Sequence, residues 1–109
     1  MPHETHATCI AACNACADAC DHCASACLRE PDPLLLGRCI ALDMDCAAIC
    51  RLCAGYLARG SEFSRHLCLS CAEICDACAE SCASHAHEHC QLCAEACMRC
   101  AQVCRQIVN

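Results

Sequence analysis

The sequence predicts an all-α fold, an antiparallel up-down four-helix bundle with a cysteine-lined core spanning residues 1–109 as a single domain. Three observations carry that expectation. Twenty cysteines fall into four groups, and within each group successive cysteines are three or four residues apart, with one gap of seven between Cys39 and Cys46. Alternating threes and fours trace the inward seam of a bundled helix, whereas a strand would need a period of two. The residues between the cysteines are rich in Ala, with Glu, Gln and Arg, all good helix formers. The three breaks between the groups carry helix stop and start signals.

The first helix is expected over about residues 6–28 and carries Cys9, Cys13, Cys16, Cys20, Cys23 and Cys27. Glu30-Pro31-Asp32-Pro33 ends it, and Asp32 followed by Pro33 suits an N-cap with a first-turn proline. The second helix, about 34–58, carries Cys39, Cys46, Cys50 and Cys53. Gly60-Ser61 then supplies a C-terminal glycine and a new N-cap. The third, about 62–84, carries Cys68, Cys71, Cys75, Cys78 and Cys82. After Ser84-His85-Ala86-His87, the fourth helix, about 87–107, carries Cys90, Cys93, Cys97, Cys100 and Cys104. Helices of this length run about 32–38 Å at 1.5 Å per residue. Connections so short force neighbours antiparallel, which turns all four stripes toward one another.

Composition limits what such an interior can be. Apolar residues make up 58 %, but the twenty cysteines are among them, with no Trp, one Tyr (Tyr56) and one Phe (Phe63). Cysteine must therefore fill much of the core as a small hydrophobe. Cysteine this dense means either a secreted disulfide scaffold or a metal-thiolate protein. The start, Met1-Pro2-His3-Glu4-Thr5-His6-Ala7-Thr8, has neither the basic nor the apolar region of a signal peptide. A cytoplasmic location with reduced thiols is the expectation. No apolar run approaches the roughly 18 residues that span a bilayer. A net charge of −6, with seven Arg and no Lys, argues against nucleic acid or an anionic membrane as partner, because both need a basic face.

The thiol stripe points to soft metal. Residues four apart on a helix hold their Cβ atoms roughly 5–6 Å apart, so two sulfurs can converge on one ion. Thiolates select Cu(I), Zn(II) or iron–sulfur clusters. Zinc favours discrete, closed tetrahedral sites, while this stripe is continuous along each helix. Cu(I) accepts two or three thiolates that can bridge, so the lining suits multiple Cu(I) ions per chain. A zinc-thiolate metal buffer of metallothionein type is the alternative. The run C-x3-C-x2-C occurs at Cys9, Cys13 and Cys16 and again at Cys16, Cys20 and Cys23. Any such helical seam produces it, and the ferredoxin run is absent. No enzyme is expected: nothing marks one C-x-x-C as the activated pair of a thiol–disulfide exchanger. A structural or redox reading, with thiols filling the core or buffering oxidants, is the competitor from another class.

The second helix skips one seam position, at Asp43. A carboxylate facing inward is costly unless it is paired or binds metal. In the third helix, the seam place after Cys82 is His85, followed by His87 and His89. In an antiparallel bundle these lie at the same end, so Asp43, His85, His87 and His89 are expected to meet at one mouth. Harder ligands there, with thiolates inside, make a loading gate, and His-rich tracts commonly bind metal. Leu34, Leu35 and Leu36 lie at that end too. Ile10, Tyr56, Leu57, Phe63, Leu67, Val103 and Ile107 should form an apolar plug at the other. Met44 and Met98 sit one place off the seam and read as packing or surface residues; His3, His6, His22 and His66 read as solvated.

The sequence resembles a known family, the bacterial copper storage proteins of cytosolic type. The resemblance rests on the four Cys stripes, on the segment Cys39-Ile40-Ala41-Leu42-Asp43-Met44-Asp45-Cys46-Ala47-Ala48-Ile49-Cys50, and on His85-Ala86-His87-Glu88-His89-Cys90-Gln91-Leu92-Cys93-Ala94. It implies a four-helix bundle, a homotetramer, and many Cu(I) ions held by cysteines inside each bundle. It also implies an Asp and His residues at the open end, which fall on Asp43 and the stretch from His85 to His89. The exported branch has a leader and favours Met at its mouth, so the cytosolic branch fits better. High-capacity storage of Cu(I) is the function implied, and a copper chaperone is a candidate delivery partner.

Overall fold

The computed structural model describes the backbone of residues 2–108 and the side chains of residues 6–108. Helix α1 runs Pro2–Leu28, α2 Gly37–Ala58, α3 Ser64–Ala83 and α4 Glu88–Val108, with a 3-10 turn, Pro33–Leu36, leading into α2. The rod measures 47 × 18 × 18 Å. Helices adjacent in sequence pack against one another, and α4 closes the ring against α1. The pairs α1/α3 and α2/α4 are therefore diagonal. The up-down bundle expected from the short connections is the architecture observed.

Every cysteine side chain is fully buried. Beside the seam runs a second repeat: Cys-Ala recurs every seven residues at 16/17 and 23/24, 46/47 and 53/54, 71/72 and 78/79, and 93/94 and 100/101. These alanines are almost wholly buried. Alanine lets adjacent helices approach closely, which brings short cysteine side chains into contact across the axis. On the outside, Arg51 of α2 pairs with Asp18 and Asp21 of α1 at 3.1 and 2.7 Å, and Arg105 of α4 pairs with Asp76 of α3. These exposed pairs favour the observed neighbours, each by about 0–1 kcal/mol.

Helix ends differ from expectation by more than one residue in three places, the first being the start of α1 at Pro2, not 6. The second helix begins at Gly37, not 34, because Pro33 and three leucines wind as a 3-10 turn that swings Leu36 inward. Asp32 precedes that turn without a side-chain cap, although Pro33 does occupy its start. The third helix begins at Ser64, not 62, and its N-cap position is Phe63. Ser61 caps the preceding turn instead: its Oγ accepts from Phe63 N–H at 3.1 Å and its carbonyl from Ser64 N–H at 3.2 Å. Gly60 acts as expected. With φ 64°, it lets Ser61 N–H reach Tyr56 O at 3.0 Å and its own N–H reach Leu57 O at 3.1 Å, the two bonds of a Schellman motif.

The plug end is also altered in one member. Leu57 and Val103 are buried, and Ile10, Leu67 and Ile107 pack against the core with Val108. Phe63 is 53 % exposed, because the turn that carries it points outward from the start of α3. Its ring lies 6.2 Å from that of His66. His3 lies outside the described side chains. No described helix is long and apolar enough to cross a membrane.

Candidate metal centre

The bundle interior is a ladder of sulfur. At the plug end Cys9 Sγ lies 3.6 Å from Cys104, and Cys53 lies 3.6 Å from Cys68. One turn further in, Cys13 and Cys100 are 3.7 Å apart, and Cys50 and Cys71 3.6 Å. In the middle Cys16 meets Cys97 at 3.6 Å and Cys46 meets Cys75 at 3.5 Å. Sulfurs of the diagonal helices also touch, Cys46 with Cys97 and Cys50 with Cys100, both at 3.9 Å. Towards the other end come Cys20 with Cys93 at 3.7 Å, Cys39 with Cys82 at 3.0 Å, and Cys23 with Cys27 and Cys90, both at 3.9 Å. All twenty thiols are free.

Four-sulfur groups with all ligand atoms within 4.8 Å recur along the ladder, among them Cys16/Cys20/Cys46/Cys97, Cys16/Cys46/Cys50/Cys75 and Cys20/Cys78/Cys93/Cys97. These groups share members: Cys16 and Cys46 belong to two of the three, as do Cys20 and Cys97. Shared sulfurs describe a continuous bridging lattice more naturally than separate closed tetrahedra. Burial pushes the thiols of Cys27 and Cys90 up, the latter to about 12. At these two positions an entering cation must displace protons.

Asp43 occupies the vacant seam position and is wholly buried. Cys78 and Cys93 each donate to its Oδ1 at 3.2 Å, and Cys82 at 3.5 Å. Its Oδ2 faces Cys39 at 3.9 Å. Burial, reinforced by the neighbouring Cys93 sulfur, pushes its carboxyl up to about 8. Asp43 lies at the histidine end of the bundle, one helical turn further along α2 than Cys39.

The rim is built by the histidine connection and the end of α1. His89 Nδ1 lies 3.5 Å from the sulfurs of Cys23 and Cys90 and 3.9 Å from Cys27. Its other nitrogen, Nε2, bonds Glu30 Oε2 at 2.8 Å. His87 Nδ1 lies 3.3 Å from the same oxygen, and its ring stacks on that of His89 with centroids 5.3 Å apart. The bond from His89 holds the Glu30 carboxyl below its ordinary value. His85 stands apart: it lines an open hollow of about 230 Å³ with Glu30, Leu36 and His87, and its carbonyl accepts from Gln91 Nε2 at 2.6 Å. Among the described residues its ring is not hydrogen-bonded to a thiol. Leu34 and Leu35 project from the rim, 90 % and 75 % exposed.

Glu30 is the site residue that sequence reasoning passed over, as part of a helix-breaking Pro-Asp-Pro stretch. Its signal was present, for it sits three residues beyond Cys27, on the next place of the first seam. The same extension yields Leu36 before Cys39 and His85 after Cys82, and these three share the hollow with His87.

Comparison with known proteins agrees with this geometry. The curated cysteine-rich protein YhjQ of Bacillus subtilis is 46 % identical over 66 residues, 61 % of each chain, so the match spans under two thirds of that relative. A cytosolic copper storage protein from Streptomyces lividans, solved with five coppers, superposes with a TM-score of 0.95 at 43 % identity, covering 98 % of this chain and 94 % of that one. The Cu(I)-bound copper storage protein BsCsp3 superposes with a TM-score of 0.93 at 43 % identity, covering 96 % and 99 %. The model of the copper storage protein family matches residues 2–109, and the chain belongs to that family.

Proposed function

We propose that this protein stores Cu(I) at high capacity on thiolates lining the bundle, in the cytoplasm, with ions entering at the Glu30/His87/His89 end. The observation that carries this is that each of the twenty buried sulfurs lies 3.0–4.0 Å from at least one other. Soft monovalent copper tolerates low coordination and shared thiolates, so such a lattice takes many ions with little rearrangement. The cysteines, with Asp43 and the histidines as the harder ligands near entry, are the proposed copper-binding residues, and His85 serves the approach. The reading includes no catalytic step, a homotetrameric assembly, and a chaperone as the donor of copper.

The deciding experiment is anaerobic titration of fully reduced apo-protein with Cu(I) against a chromophoric chelator. Uptake approaching one ion per cysteine before the chelator colours is the expected result. Saturation near one ion per four cysteines, with Zn(II) competing effectively, would replace storage of copper with zinc buffering. A gate at the histidine end makes a further prediction: Asp43→Ala or His89→Ala slows loading or release more than it lowers capacity. Unchanged rates with lost capacity, measured by stopped-flow absorbance and metal analysis, would contradict it.

A further inference from the structure

We propose that Glu30 is a positioning residue for copper capture: its carboxylate orients the His89 ring so that the Nδ1 lone pair joins Cys23, Cys27 and Cys90 in a one-nitrogen, three-sulfur site. The inference rests on the reading of the protein as a copper store and names how its entry site is assembled. Three facts support it. The ligand atoms of His89 and these three cysteines all lie within 4.8 Å of one another, joining a nitrogen to three sulfurs. Glu30 Oε2 takes the opposite nitrogen at 2.8 Å, close to a charge-assisted bond length. Glu30 is also only partly exposed, and His87 both contacts the same oxygen and stacks on the His89 ring.

A neutral imidazole carries one proton, and the nitrogen facing a carboxylate is the one that keeps it. With Nε2–H donating to Glu30, Nδ1 presents a lone pair to the three sulfurs before any ion arrives. Without Glu30 the ring is free to turn or to place its proton on Nδ1, where an arriving cation would have to displace it. Carboxylates in this relation to a metal-binding histidine orient the ring and raise its basicity, and removing one commonly costs about 10–100-fold in affinity or activity. The stacked His87 ring limits rotation of His89 from the other side. Pro31 follows directly and restricts the backbone of Glu30, which fits a side chain held to one task.

The test compares the wild-type chain with Glu30→Ala, Glu30→Gln, His89→Ala and the double variant Glu30→Ala/His89→Ala. The probe is Cu(I) delivered from a weak chelator under anaerobic conditions, read by stopped-flow absorbance. Nitrogen NMR of histidine-labelled apo-protein reports the ring tautomer independently of copper. Glu30→Ala should slow initial uptake on the order of tenfold and shift His89 away from the Nε2–H form. Glu30→Gln, whose side-chain oxygen still accepts from Nε2–H, should recover most of the rate and the tautomer. Removing Glu30 should then add nothing in the His89→Ala background. Wild-type uptake by Glu30→Ala, an unchanged His89 tautomer, or an equal slowing in the His89→Ala background would each overturn the role. Saturating the wild type separates the two readings: many ions bound with an indifferent Glu30→Ala variant sinks the positioning role alone, and few ions bound sinks storage with it.

Discussion

Asp43 sits in an environment that favours its neutral form, since an unpaired charge in the interior is costly and its oxygens face only thiols. Its carboxyl is raised to about 8, chiefly by burial, against an unfolded value near the ordinary ~4. A raised folded value means the native state binds the proton more tightly. The resulting stability is fully present below the ordinary value and is lost as pH rises through about 8. The thermal midpoint of reduced, copper-free protein should therefore fall between mildly acidic and mildly alkaline pH. Asp43→Asn should flatten that slope; equal slopes in both proteins would assign the effect to the thiols of Cys39, Cys78, Cys82 and Cys93. Asp43 was legible in the sequence because a regular seam makes one missing beat conspicuous. Its depth was not, because the pattern gives the face of a helix and not how far the neighbouring helices rise around it. Glu30 occupied an equally regular beat, but the prolines on either side of Asp32 drew the segment into the connection, where charged residues are usually solvated.

The helices were legible because cysteine and alanine repeat on the helical period in all four, and their inner bounds match the outermost cysteines. The ends were read less well where local chemistry outweighs the period. At 33–36 a proline without an N–H and a buried Leu36 favour the tighter 3-10 winding; at Ser61 the hydroxyl caps a turn before the helix proper starts. Gly60 was read correctly, since the left-handed residue closing a helix is usually glycine. A β-carbon there would meet nothing within 4 Å, so a substitution tests backbone conformation alone. Gly60→Ala should lower apo-protein stability by about 1–2 kcal/mol, read as a shift in the urea midpoint at constant slope, with copper uptake unaltered. No loss of stability would mean that the α2–α3 turn relaxes to another conformation at little cost.

At the scale of the whole molecule, the core is unusual in what it lacks. Leu57, Leu36 and Val103 are the aliphatic side chains larger than alanine that are buried, and sulfur and alanine fill the rest. A thiol packs as a small hydrophobe, so the empty bundle gains less from burial than a leucine core of equal length would. Sulfur contacts of 3.0–4.0 Å nonetheless run along its length, and its helices of 20 to 27 residues are built on alanine. The reduced apo-protein should accordingly show full helical circular dichroism, unlike small zinc domains that are unfolded until metal binds. Copper then acts by mass action: a ligand bound only by the native state adds about 2.7 kcal/mol at a free concentration 100 times its dissociation constant. Many ions per bundle repeat that gain, so the melting temperature should climb stepwise with copper load while helical signal at low temperature stays constant. A chain that gains helix on metal addition would be a fold-on-binding cluster protein. A load-independent melting temperature would place copper outside the bundle, because ions bridging sulfurs on all four helices cannot leave the unfolding equilibrium untouched.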